Sequence, residues 1–175
     1  IITVSHSHSD HCHIPLGAAK EARIIRDRID ETVSGLKIKS IDSFHDSVGG
    51  KERGSNSIFV FEVDGIKIAH FGDLGHGLDE AKIKELGSID VVLLPVGGVF
   101  TINSREASTI IKKLKPKIVI PMHFKTAKVG FDLDEVDIFL KDKKDVERLN
   151  KSEIEIKPEM LSSPATKIVV LKHSH

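Results

Sequence analysis

The first dozen residues constrain this chain most, because an apolar strand runs directly into a cluster of possible metal ligands. Residues 1–4 read Ile-Ile-Thr-Val, which is typical of a short buried strand. His6, His8 and Asp10 then alternate with serines, and His11 follows at once. Residues two apart in an extended backbone point to the same side, so the first three side chains can converge, and a turn at Asp10 would add His11. Because imidazole and carboxylate groups bind zinc and similar ions, this stretch predicts a metal site.

The composition indicates one globular domain over residues 1–175. Lysine plus arginine and aspartate plus glutamate each number 26, so the net charge is zero with histidine neutral. That balance gives no support for a nucleic acid or an anionic membrane as partner, and we expect neither. Cys12 is the single cysteine, which excludes an intrachain disulfide and favours a reducing cytoplasm. No pattern in the sequence indicates an oligomeric state.

Three further ligand types stand where later apolar segments end. His45 closes an extended segment, Asp73 follows a predicted β-hairpin, and His123 follows a buried-type apolar run. Sheets that mix helices and strands commonly build a site from loops at one set of strand ends. We therefore expect these side chains to meet the first motif in one cleft.

The remaining chain predicts helices and strands around this cleft. Apolar spacing predicts a helix from Leu16 to about Arg28 and a charged helix from Leu133 to Leu149. Alternation of apolar and polar residues predicts a strand over Glu153–Lys157. Asn103 and Glu106 have the spacing of a capping box, which predicts the start of another helix.

The motif His6-x-His8-x-Asp10-His11 resembles the signature of the metallo-β-lactamase superfamily, and His45, Asp73 and His123 match its later ligands in the right order. The segments 70–76, 94–98 and 121–124 look like one branch of that superfamily. This branch holds small Zn-dependent hydrolase-like proteins related to ascorbate-6-phosphate lactonase.

The resemblance implies an α+β fold, a four-layer αββα sandwich with a binuclear metal site between two sheets. Family members have a β-region before the first motif, whereas this chain begins inside a strand, so we expect it to lack N-terminal strands of the sandwich. One metal would take His6, His8 and His45, the other Asp10, His11 and His123, and Asp73 would bridge the two. Zinc is the favoured ion, and manganese or iron tolerate the same ligand types.

Several other residues are weaker candidates for contacts with a substrate. His76 follows Asp73 on the same loop, where it would either face the substrate or a metal ligand or be a plain surface residue. Gly98 and Thr101 lie on a glycine-containing loop that resembles a substrate-side loop of the branch, although it is equally a plain connection. Lys51 and Arg53 could receive an anionic group such as a phosphate, or could simply be surface charges.

We interpret the chain as a metal-dependent hydrolase whose metal-bound hydroxide cleaves an ester, lactone or phosphodiester bond of a small-molecule substrate. Asp10 would also serve as the catalytic proton acceptor, since a carboxylate beside a bound water can orient it or take its proton. Two alternatives are a non-catalytic metal-binding protein and a nucleic-acid processing member of the superfamily. The first is disfavoured because closed structural zinc sites favour cysteine ligands, and this chain has one cysteine. The second is disfavoured because the net charge is zero and the sequence has no basic stripe.

Overall fold

The computed structural model describes residues 1–9 and 11–173, which form one large mixed sheet with helices packed on it. The strands of this sheet are β3 (Asp30–Val33), β4 (Leu36–Phe44), β5 (Ser55–Val63), β6 (Ile66–His70), β7 (Val91–Pro95), β8 (Ile118–Met122), β9 (Val146–Arg148) and β10 (Lys167–Val170). Their spatial order is β3-β4-β5-β6-β7-β8-β10-β9. Two short strands, β1 (Ile2–Thr3) and β2 (Ile24–Ile25), pair in parallel as a separate sheet.

Four α-helices connect these strands within the described residues. They are α1 (Leu16–Glu21), α2 (Glu80–Leu86), α3 (Ser104–Leu114) and α4 (Val136–Leu140), and a short 3-10 helix covers Pro158–Leu161. Helix α3 begins with the predicted capping box: the Asn103 side chain accepts from the Glu106 N–H, and the Glu106 carboxylate accepts from the Asn103 N–H, both at 3.0 Å.

The sheet changes character at β6, and this change decides where the strand ends lie. Strands β3 to β6 are antiparallel neighbours, whereas β6, β7, β8, β10 and β9 are parallel. Because β5 runs opposite to both of its neighbours, β4 has the same direction as β6. The carboxyl ends of β4, β6 and β8 therefore reach the same edge of the sheet, and His45, Asp73 and His123 follow those ends.

Two hairpin turns set the register of the antiparallel half. Ser34 and Gly35 have φ of 51° and 83°, and Asp64 and Gly65 have φ of 50° and 77°. Positive φ at both central residues is the geometry of a type I′ turn, which matches the right-handed twist of the strands it joins. The structure thus confirms the hairpin predicted before Asp73.

The main core lies between the sheet and helices α2 to α4. It includes Phe71 and Leu94 from the sheet side, Ile110 from α3 and Phe139 from α4, each almost fully buried. On the opposite face, smaller clusters form around Ile38 and around Ile118. Within residues 1–9 and 11–173, no helix has the length and apolar character needed to cross a membrane.

Two helix predictions and one strand prediction are wrong in extent or kind. The predicted helix from Leu16 stops at Glu21, because Ile25 and Ile29 bury against Ile38 and Phe59 from extended backbone. The predicted helix over 133–149 is only the short α4, followed by an edge strand, β9.

The segment Glu153–Lys157 is irregular instead of a strand. Its alternation arises because Ile154 and Ile156 pack onto the apolar cluster around Ile118 without joining the backbone ladder.

Candidate metal centre

The first-motif loop, residues 5–9 and 11–13, leaves β1 and turns back at His8. The His8 carbonyl accepts hydrogen bonds from the N–H groups of His11 and Cys12, at 3.0 and 2.9 Å. This turn brings His11 back towards the preceding histidines, as the sequence suggested. Asp10, predicted as a metal ligand and proton acceptor, lies outside the described residues.

The histidine rings of this loop lie close to one another and to the His45 ring, in tilted or edge-to-face arrangements. The centroid of the His6 ring lies 5.0 Å from that of His8, 4.6 Å from that of His11 and 4.9 Å from that of His45. The rings of His8 and His45 are 4.8 Å apart. Two sets of ligand atoms therefore fall within 4.8 Å of one another, His6 with His8 and His45, and His6 with His11 and Asp73.

His6 belongs to both sets, and Asp73 lies close to four of the histidines. Its Oδ2 atom lies 3.3 Å from His45 Nε2, 3.5 Å from His11 Nε2, 3.5 Å from His123 Nε2 and 3.7 Å from His6 Nε2. One carboxylate oxygen among four imidazole nitrogens is the arrangement needed for a ligand shared between neighbouring cations. The first set is the group that the resemblance assigned to one metal.

Two buried nitrogen atoms show that the donors fit a metal. Among the described residues, neither His6 Nε2 nor His45 Nδ1 has a hydrogen-bond partner, and both rings are nearly inaccessible to solvent. An unpaired buried polar atom is costly, and coordination to a cation would remove that cost for a nitrogen directed at one. Neutral imidazole and ionised carboxylate are also the forms that bind metals.

The protonation states follow from burial and from mutual repulsion. Burial lowers the pKa of His6 to about 4, with further lowering by His11 and His45 and partial opposition from Asp73. For Asp73, burial acts upwards but is outweighed by the hydrogen bond from His45 and the nearby His123, which bring the pKa to about 2. The cluster is thus set up with His6 neutral and Asp73 ionised near neutral pH.

A buried amide, Asn56, positions Asp73. The Asn56 Oδ1 atom accepts a hydrogen bond from the Asp73 N–H at 3.0 Å, and its Nδ2 donates to the Phe71 carbonyl at 3.0 Å and to Ser43 Oγ at 2.8 Å. Gly72 makes room for this contact, because a Cβ there would lie 2.3 Å from Asn56 Oδ1. Asn56 was not predicted from the sequence, because it stands between two serines at the polar start of β5 and nothing there marks it out.

Two glycines, Gly75 and Gly97, allow neighbouring loops to make close backbone contact with the ends of the strands that precede His45 and His123. A Cβ on Gly75 would lie 2.2 Å from the carbonyl carbon of His45, and one on Gly97 would lie 2.2 Å from the His123 carbonyl oxygen. Gly97 N–H donates to that same His123 oxygen at 3.0 Å. These contacts fix the backbone of two predicted ligands, and His123 itself holds a positive φ of 51°.

Asp46, next to His45, organises the loop between β4 and β5. Its two carboxylate oxygens accept four backbone hydrogen bonds, from Val48 at 2.9 Å, Gly50 at 2.7 Å, Glu52 at 3.0 Å and Arg53 at 2.8 Å. Burial acts to raise the pKa of Asp46, but the four N–H donors hold it well below its usual range. The loop is therefore wrapped around a permanent anion, and Arg53 is fixed at its far end.

A cavity of about 390 Å³ opens beside these residues. Its lining is His8, His45, Arg53, Asp73, Phe100, His123 and Phe131. The Phe100 and Phe131 rings meet edge to face at 5.2 Å, and the Arg53 guanidinium lies 5.4 Å from the Phe100 centroid. Neither phenylalanine was predicted to line a site, since aromatic residues on loops carry no periodic signal.

The three predicted substrate contacts occupy different positions. Thr101 Oγ1 lies 3.5 Å from His123 Nδ1, beside a predicted ligand. Gly98 has φ of 65°, and its N–H donates to the Ile102 carbonyl at 3.2 Å. The His76 ring contacts backbone groups: Nε2 accepts from the N–H of Phe44, at the end of β4, at 3.2 Å, and Nδ1 lies 2.7 Å from the Gly77 carbonyl. None of the three lines the cavity described above, and their roles towards a substrate stay predictions.

His70 lies at the end of β6 and serves the backbone. Its Nδ1 accepts a hydrogen bond from the Gly72 N–H at 3.1 Å, and burial lowers the pKa of the ring. His70 therefore has a structural contact in the turn that leads to Asp73.

Known proteins share both the sequence and the fold. Residues 1–123 match the family described as Beta-lactamase superfamily domain. A UPF0173 metal-dependent hydrolase of Thermococcus onnurineus is 39% identical over 125 residues, which cover 70% of this chain and 56% of that protein. One of Thermoplasma acidophilum is 34% identical over 159 residues, 78% of this chain and 69% of that protein. The chain thus spans little more than half the length of the first of these relatives.

Among solved structures, a candidate Zn-dependent hydrolase of the metallo-β-lactamase superfamily from Thermotoga maritima superposes with a TM-score of 0.76 at 40% identity. The superposition covers 97% of this chain and 79% of the other. A metallo hydrolase of Ignicoccus hospitalis, at 22% identity, shares the fold with a TM-score of 0.60 over 97% of this chain and 75% of its own. The chain therefore belongs to the metallo-β-lactamase superfamily, has its α+β fold, and falls among the UPF0173 metal-dependent hydrolases.

Proposed function

We propose that this protein is a hydrolase that uses two divalent metal ions, zinc first among them, to cleave an ester, lactone or phosphodiester bond of a small molecule. The observation that carries the proposal is the position of Asp73 Oδ2, within 3.3–3.7 Å of four histidine nitrogens and on the wall of a cavity of about 390 Å³. That volume suits a small ligand. Homologues are named metal-dependent hydrolases, and this chain carries the histidines and aspartates that the resemblance assigned as ligands.

In this proposal the side chains bind the metal ions, and one carboxylate accepts a proton. His6, His8 and His45 would hold one ion, Asp10, His11 and His123 the other, and Asp73 both. When bound, such a pair of ions lowers the pKa of a shared water towards neutrality and polarises the bond to be cleaved. Asp10 would accept the proton released by the attacking water, since a carboxylate in this position can act as a general base. Asn56 keeps Asp73 oriented.

A catalytic role is favoured over a purely structural metal site because the histidine cluster borders a cavity. His8, His45, Asp73 and His123 all line it, so a substrate could reach the ligands. Zero net charge supports a small-molecule substrate over a nucleic acid. The single cysteine supports the cytoplasm as the proposed compartment.

The test is metal analysis followed by hydrolysis assays with a panel of lactones, aryl esters and phosphodiesters. We expect two metal ions per chain and a hydrolytic activity that chelation abolishes. Asp10→Ala should lower kcat by about 10²–10⁴-fold, whereas the matched variant Asp27→Ala, at an exposed position, should retain full activity. Hydrolysis that persists after chelation, or in Asp10→Ala at the unmodified rate, would contradict the proposed mechanism.

A further inference from the structure

We propose that the substrate of this centre carries an anionic group beside its scissile bond, received by Arg53, and an apolar body that packs on Phe100 and Phe131. The inference rests on the proposed function and names its substrate class. It follows from the wall of the cavity that faces the metal ligands, which combines one guanidinium with two aromatic rings.

Arg53 has donors to offer to a ligand. Its ion pair among the described residues, with Glu52 at 3.7 Å, is longer than a hydrogen bond, and the Glu52 side chain is 65% exposed. Exposed pairs of this kind contribute little, so a ligand can replace them at small cost. A guanidinium presents a planar fork of N–H groups that matches carboxylate and phosphate oxygens in pairs. The chemistry recognised is therefore that of a carboxylate or phosphate.

The position of Arg53 is set by the same loop that carries His45. Asp46 accepts the Arg53 N–H at 2.8 Å, and the His45 N–H donates to the Gly54 carbonyl at 3.0 Å. Both ends of the loop are thus tied together, and the backbone of Arg53 is held close to that of His45. Lys51 differs sharply: it is exposed on the same loop and does not line the cavity.

The aromatic part of the cavity is uncovered although it is apolar. The Phe131 residue is 59% exposed, and Val99, beside Phe100, is also 59% exposed. Val99 adopts a φ of 61°, which is strained for a β-branched residue, in the loop that carries Phe100 to the cavity wall. Strain retained at such a position, together with exposed aromatic surface, is typical of a ligand-binding wall. An apolar group of the substrate would cover these rings.

The direct test is equilibrium binding of small probes to the metal-loaded protein by titration calorimetry. Phenylphosphonate and benzoate supply an anion with an aromatic body, inorganic phosphate supplies the anion alone, and benzamide is the neutral counterpart of benzoate. We expect Arg53→Ala to weaken phenylphosphonate or benzoate binding by about 10–100-fold, as for the loss of a charged hydrogen-bonding partner. Arg53→Lys should lose less, and Lys51→Ala, which removes the same charge outside the cavity, should bind within twofold of the unmodified protein.

The contribution of the aromatic rings is tested by comparing phenylphosphonate with inorganic phosphate. Phe131→Ala should weaken phenylphosphonate but leave inorganic phosphate unchanged, because only the former has a ring to bury. Whichever anion depends more on Arg53 identifies carboxylate or phosphate as the group recognised. Equal affinities of Arg53→Ala and Lys51→Ala for every probe would overturn the inference, since the anions would then be binding elsewhere. Arg53-dependent binding in a protein that hydrolyses nothing would refute the proposed function and leave the anion site standing.

Discussion

The metal centre has two sides that are held in different ways. On the sheet side, His45, Asp73 and His123 follow strands of five or more residues inside the eight-stranded sheet. On the other side, the first-motif loop follows β1, which has two residues and pairs only with the equally short β2 among the described strands. A hydrogen bond from Ser57 N–H to the Ser5 carbonyl, at 2.8 Å, links this loop to the main sheet.

Burial separates the two sides only in part. The His45 and Asp73 side chains are 2% and 8% exposed and the His11 side chain is 37% exposed, but the His6 side chain of the first-motif loop is only 1% exposed. Asn56, Gly75 and Gly97 brace the sheet side by direct contacts. One side of the centre is thus shaped by the fold itself, and we expect the other side to depend more on bound metal.

The largest expected effect concerns the sheet side. Gly75→Ala would place a methyl group about 2 Å from the His45 and Asp46 backbone, where no side chain can move aside, so we expect a loss of about 3 kcal/mol in the free energy of unfolding. Gly77→Ala is the matched control, because its Cβ would meet nothing within 4 Å. Urea denaturation of both variants measures the difference; equal stabilities would show that the sheet side is less rigid than the structure indicates.

Metal removal tests the comparison directly. After chelation we expect the Cys12 amide, which donates to His8 within the first-motif loop, to exchange at least about tenfold faster with solvent. The amides of His45 and Gly75, which donate to Gly54 and Phe44, should keep their protection. Hydrogen exchange followed by mass spectrometry or NMR reads both sides in one sample. Similar acceleration at all three amides would remove the distinction between the two sides.

We expect a smaller loss of thermal stability from Asp46→Asn. This substitution keeps the shape of the side chain, but its amide nitrogen would face two of the backbone N–H donors. The native carboxylate has a pKa held below its usual range, so its contribution to stability is present above the unfolded-state pKa and disappears as the pH falls through the folded-state value. We therefore expect the difference in Tm between Asp46→Asn and the unmodified protein to be clear at pH 7 and to shrink towards pH 3. Asp42→Asn, at a side chain that is 60% exposed, should show no such trend.

Motifs and turns that depend on residues close together in the chain could be predicted from the sequence. Structure that depends on the packing of distant residues could not. The His6 to His11 motif, the Asp64-Gly65 turn and the Asn103 capping box each depend on residues close in the chain, and each was readable. The convergence of His45, Asp73 and His123 was expected because parallel strand ends share an edge of the sheet. The helix predicted beyond Glu21 was wrong because burial of Ile25 and Ile29 overrode local spacing.

The lining of the cavity also depends on contacts between residues far apart in the chain, which the sequence does not reveal. Phe100 and Phe131 are 31 residues apart and meet only because the loops before α3 and α4 fold over the same strand ends. Asn56 acts through hydrogen bonds to residues far along the chain. A single sequence does not state which loops approach each other, so the convergence of the candidate ligands was predictable while Phe100, Phe131 and Asn56 were not.

The four donors around Asp46 have one more consequence, since all of them are backbone N–H groups. The side chains at Val48, Lys51 and Glu52 take no part in holding the loop, and all three are exposed. Substitutions there would leave the backbone hydrogen bonds to Asp46 in place, and with them the spacing between the His45 and Arg53 backbones. The loop can therefore accept sequence variation at its exposed positions while the residues that border the cavity keep their places.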